Sequence, residues 1–83
     1  MEDKGWSVYR DEAKNLGAIA EEMFKQGDHR KARAIYREAA ERALLALYTV
    51  PPEDKKAREM LGELIQTLCE KTEEVIPKQK TAA

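Results

Sequence analysis

The sequence predicts an all-α, antiparallel three-helix bundle, and three observations carry that expectation. Apolar residues recur at intervals of three and four in three separate blocks, the spacing of one face of a helix. The blocks are parted by two breaks, Gly27-Asp28 and Pro51-Pro52, both made of residues that end helices and start new ones. No stretch alternates apolar and polar residues as a half-buried strand would. With 83 residues there is room for one small core. A chain of that size buries only about 60% of its unfolded surface, and helices suit it because they satisfy their backbone bonds locally.

The first helix is expected over about 8–26. Tyr9, Ala13, Leu16, Ile19, Ala20, Met23 and Phe24 form its apolar stripe, Ser7 is the candidate cap, and Gly27 can take the left-handed turn that closes its end. Asp28 can then cap a second helix over 29–49, so the link is short and the two helices form an antiparallel hairpin. Ala32, Ile35, Tyr36, Ala39, Ala43, Ala46 and Leu47 make the second stripe, and its alanines permit a close helix approach. Leu44, Leu45 and Tyr48 fall off that stripe and need a cover, for which Trp6 is the preferred candidate over a role as a partner-facing anchor. Val50 is held extended by Pro51. The third helix is expected over 53–76, with Pro52 and Glu53 suited to its first turn and Pro77 as its stop. Its stripe is Ala57, Leu61, Leu64, Leu68, Thr72 and Val75, flanked by Met60 on one side and by Ile65, Cys69 and Ile76 on the other. The expected organisation is an N-terminal extension at 1–7, one domain at 8–77 and a frayed tail at 78–83.

Charge and composition narrow the function. Fifteen basic residues against sixteen acidic give a net charge of -1, not the footprint of a nucleic-acid binder. With 37% charged residues spread through the chain, no segment is apolar enough to enter a bilayer. One His29 and one Cys69 cannot supply a structural zinc site. No glycine-rich phosphate loop or nucleophile elbow occurs, and His29 has no nucleophile placed beside it. Glu70, Glu73 and Glu74 read as a solvated face, and Cys69 as a small buried or half-buried hydrophobe. The expectation is therefore a non-enzymatic module with no catalytic residues, no metal and no cofactor. A lone cysteine and a polar, charged stretch at residues 1–14 favour a reducing, cytoplasmic setting.

Ala20, Gly27, Ala32, Tyr36 and Ala39 stand in the register of a tetratricopeptide (TPR) helical hairpin, although no second copy follows at that period. Over a longer span, 13–76, the chain resembles the MIT (microtubule-interacting and trafficking) domain, whose three helices include such a hairpin. The run Ala43-Leu44-Leu45-Ala46-Leu47 and the residues Met60, Leu64, Ile65 and Leu68 carry the likeness. In Thr67-Leu68-Cys69-Glu70-Lys71-Thr72-Glu73 the leucine and a glutamate match the family pattern, while the family's aromatic is absent. The resemblance implies a protein-binding module for C-terminal tail peptides of ESCRT-III-like proteins, often attached to an AAA ATPase, a protease or a trafficking protein. Recruitment to membranes would then run through those partners, and the isolated domain would be a monomer.

The residues expected at such a groove beside the third helix are Met60, Leu64, Ile65, Leu68, Cys69, Thr72 and Ile76. An amphipathic peptide helix could seat there through anchors at i, i+3, i+4 and i+7. The same apolar residues could equally be core. Two other readings stay open: a TPR-like scaffold or packing module, and a HEPN-like helical nuclease or nucleotide transferase partner, which would need an Arg closely followed by His where His29 has Gly27 and Asp28 before it.

Overall fold

The computed structural model describes residues 5–74. It is an all-α three-helix bundle: α1 (Trp6–Lys25), α2 (His29–Thr49) and α3 (Lys55–Glu74). Residues 1–4, the expected last turn with Val75 and Ile76, the stop at Pro77 and the tail at 78–83 lie outside the described residues.

The α1–α2 junction is built as its residues dictate. Gly27 takes a φ of +89°, which only glycine adopts without strain. Its N–H donates to the Phe24 carbonyl (3.0 Å) and the Asp28 N–H to the Met23 carbonyl (2.9 Å), the bond pair of a Schellman motif. The Asp28 carboxylate then accepts from the Lys31 N–H at 3.3 Å and caps α2. At the other end of α2, Val50 is extended with ψ 142°, as the following proline requires, and its side chain is buried.

Two helix starts differ from the sequence expectation. α1 begins at Trp6 behind Gly5, with no side-chain cap, so Ser7 lies inside the helix. Trp6 and Tyr9 both pack on the Ala46, Val50, Ala57 and Leu61 cluster, and that docking holds the first turn. α3 begins at Lys55 rather than at 53. Pro51 accepts from the Asp54 N–H (3.0 Å), and the Asp54 carboxylate accepts from the Ala57 N–H (3.2 Å). Pro52 and Glu53 are thereby left in the turn. Asp54→Ala should cost about 1 kcal/mol, read as a lower urea midpoint with an unchanged slope.

The core consists of two adjoining clusters. Ala13, Ala20, Ala32, Tyr36, Ala39, Ala43 and Leu68 form the first, and Ala46, Val50, Ala57 and Leu61 the second. The pairing of early α3 residues with late α2 residues, and of Leu68 with earlier ones, makes α3 antiparallel to α2. Glu12 of α1 meets Arg42 of α2 at 3.2 Å, which fixes the other antiparallel pair. Alanines at zero exposure on both α1 and α2 let these helices approach closely. α3 docks along α2, and it reaches α1 through Leu68: a methyl at Gly17 would stand 3.4 Å from Leu68 Cδ2.

Four side chains expected in or over the core are placed elsewhere. Ile19 lies about 110° from the Ala13–Ala20 line, beyond what the neighbouring helices cover, and is exposed; Phe24, in the last turn of α1, is exposed as well. Phe24 stacks instead on His29, ring centroids 4.7 Å apart. Cys69 is exposed rather than half-buried. Trp6 covers Ala46 and Val50, with the Arg10 guanidinium over its ring at 5.1 Å, and leaves Leu44, Leu45 and Tyr48 exposed.

Candidate functional site

Helical geometry sorts the α3 residues into two flanks. At 100° per residue, buried Ala57, Leu61 and Leu68 mark the line facing the core. Ile65, Cys69 and Thr72 lie to one side of that line, and Met60, Leu64 and Lys71 to the other. The same treatment of α2 puts Arg42 and Ile35 on one flank, and Ala40, Leu44 and Leu47 on the other. Arg42 pairs with Glu12, so its flank faces α1 and the opposite flank faces α3. On α1, Glu12 turns to α2 while Gly17 turns to Leu68 of α3. These assignments fix the hand of the bundle: the Ile65–Cys69–Thr72 flank turns toward α2, and the Met60–Leu64–Lys71 flank toward α1.

The residues expected at a groove are thus not one surface. Ile65, Cys69 and Thr72 share the α2 side, Met60 and Leu64 share the α1 side, and Leu68 is a core residue at 4% exposure. Ile76 lies outside the described residues. Leu64 and Ile65 are half-buried and packed against the core, so each offers only part of its side chain. The Thr72 hydroxyl donates to the Leu68 carbonyl at 2.8 Å.

Across the α2–α3 groove stands a wall that the sequence expectation did not include. Ala40 and Leu47 are half-buried against the core and Leu44 is exposed. They are spaced four and three residues apart, and continuing the row toward the hairpin adds Arg37 and Arg33 at intervals of three and four. On the α3 side, a methyl at Gly62 would meet nothing within 4 Å, so this end of the groove is open. The α1–α3 groove carries charges of both signs, since Lys14 and Glu21 of α1 flank Gly17 there, and Lys71 accompanies Met60 and Leu64 on α3.

Among the described residues no group of three or more His, Cys, Asp or Glu side chains converges as a metal site. No helix among them is long and apolar enough to cross a membrane. His29 is engaged with the Phe24 ring.

What the fold defines is a small three-helix bundle whose second and third helices carry apolar residues on their facing flanks. No family model matches the chain, and neither does any curated protein or solved structure.

Proposed function

We propose that the chain is a protein-interaction module that holds a short amphipathic tail segment as a helix in the α2–α3 groove. The observation that carries this reading is the pairing of two apolar rows, Ala40, Leu44 and Leu47 on α2 with Ile65, Cys69 and Thr72 on α3, along one cleft. An incoming helix matches such a cleft through apolar side chains repeating every three to four residues. The resemblance to MIT domains names the partner class, C-terminal tails of ESCRT-III-like proteins, and with it a non-enzymatic cytoplasmic module brought to membranes by its partners.

The test is titration of the isotope-labelled chain with such tail peptides. Resonances of Leu44, Ile65 and Cys69 should shift, with a dissociation constant on the order of micromolar to hundreds of micromolar, because the contact area is small and the tail loses entropy on folding. Leu44 is 39% exposed, so Leu44→Asp should keep the helical fold and weaken binding at least about tenfold, about 1.4 kcal/mol. Ile65→Asp is the poorer probe, since its half-buried side chain also packs on the core. Peptides at millimolar concentration that leave both walls unshifted would overturn the reading.

A second reading, a TPR-like packing module, rests on exposed Val8, Leu45 and Tyr48. Val8 and Leu45 are neighbours of the Glu12–Arg42 pair in helical position, on the face of the α1–α2 hairpin turned away from α3. It predicts concentration-dependent self-association in sedimentation, where the peptide-binding reading predicts a monomer.

A further inference from the structure

The charges on the wall of the groove say more about its occupant than the apolar row does. The segment from Arg30 to Arg37 contains Arg30, Lys31, Arg33 and Arg37 and no acidic residue. It lies at the N-terminal, positive end of α2, whose first turn holds no acid. Cations there oppose the helix dipole, so the arrangement is unfavourable for the helix itself. The Asp28 carboxylate at the cap offsets this in part, but it does not pair with Arg33 or Arg37. Arg42, on the α1-facing flank, is paired with Glu12 and approaches Glu38, whereas Arg33 and Arg37 are exposed and form no ion pair among the described residues. Glu73, the acid nearest this flank of α3 by helical angle, is exposed and pairs with neither.

Arg33 and Arg37 continue the row of Ala40, Leu44 and Leu47. The α2 wall of the groove is therefore cationic at the hairpin end and apolar toward Pro51, where the facing flank of α3 contributes the exposed cation Arg58. From Arg33 to Leu47 the row spans fourteen residues, about 21 Å at the helical rise, the length of a peptide of about 15 residues. Arg37 and Leu44 stand two helical turns apart.

We infer that the occupant of the α2–α3 groove is an acidic amphipathic helix, its apolar side chains seated between Leu44 and Ile65 and its Asp or Glu side chains about two turns away against Arg33 and Arg37. This rests on the peptide-binding reading above and adds the chemistry of the peptide to it. The pairs are exposed, so they contribute modestly to affinity and more to partner choice and encounter rate.

The test uses the 83-residue chain and three labelled synthetic helices of about 15 residues. They share one apolar face and carry Glu, Gln or Lys two turns from it, and binding is read by fluorescence anisotropy. The Glu peptide should bind about tenfold more tightly than the Gln peptide, and the Lys peptide more weakly still. The Glu preference should shrink as salt rises. In Arg33→Glu/Arg37→Glu the order should reverse in favour of the Lys peptide. That variant replaces exposed cations at the positive end of a helix, so its melting temperature should not fall, and circular dichroism checks this directly. Equal affinity for Glu and Gln peptides would overturn the charge assignment while leaving the groove in place. Binding of none of the three would overturn it together with the peptide-binding reading. Vesicles containing phosphatidylserine that bind the chain and lose it in the double variant, with no peptide preference, would assign the arginines to a lipid surface and overturn the acidic-helix assignment.

Discussion

Leu68→Asp should leave the chain without a stable third helix. Leu68 is 4% exposed and sits in a cluster with Ala13, Ala20, Tyr36 and Ala39. Its Cδ2 faces the α1 backbone at Gly17, and no charged residue is buried among the described residues to receive a carboxylate. The variant loses the packing of a buried leucine, about 2–5 kcal/mol. It must also bury or expel a charge, which costs several kcal/mol more. A domain of this length has a total stability of about 4–12 kcal/mol. Amide protection should disappear first in α3, which depends on docking, while the α1–α2 hairpin keeps its alanine contacts longest. Leu68→Met, close in volume and apolar, should cost less than about 1.5 kcal/mol. A Leu68→Asp protein that melts cooperatively near the wild-type temperature would remove Leu68 from the core.

The second helix was legible in the sequence to the residue, because each of its ends carries a specific chemical signal. Gly27 can adopt the positive φ, Asp28 can cap, and Pro51 cannot continue a helix. The starts of α1 and α3 were not legible in the same way. α1 has no capping side chain, and its first turn is held by the docking of Trp6 and Tyr9, a tertiary contact with no local pattern. Before α3 the sequence offers Pro52, Glu53 and Asp54 in succession, and all three suit a helix start. Asp54 prevails because its carboxylate meets the Ala57 N–H.

The candidate groove was legible as a set of surplus apolar residues on α3, but not as a surface. A helical angle measures how far a residue lies from the core line; it does not say which neighbour stands on that side. Met60 and Ile65 look alike from the sequence, and only the Glu12–Arg42 pair and the Gly17–Leu68 approach distinguish their flanks. The facing wall did leave a trace. Arg33, Arg37, Ala40, Leu44 and Leu47 repeat at four, three, four and three residues, a complete stripe set beside the alanine one. The alanine stripe draws attention because it is the core, and Leu44 beside it reads as surplus needing a lid until Trp6 is seen to cover Ala46 and Val50 instead.

Ala39→Leu should be the most damaging conservative change on α2. Ala39 has zero exposure, as do Ala32, Ala43 and Ala46 on the same helix. A leucine there adds three carbons to a seam where α1 and α3 both close on α2, beside the fully buried Ala13, Ala20 and Ala43. Overpacking of this kind costs about 1–3 kcal/mol, occasionally more. Alanine and leucine differ little in helix propensity, so the loss reports on packing and not on the helix itself. Ala34→Leu supplies the comparison: it lies on the exposed side of the same helix and should change stability by less than about 0.5 kcal/mol. Urea denaturation of the pair separates the effects, with a lower midpoint expected only at position 39. Equal midpoints would mean that the helices can separate by the width of a leucine at no cost. In that case the α2–α3 cleft would owe its width to something other than the alanine seam, and the groove rows would lose the rigid spacing that peptide capture requires.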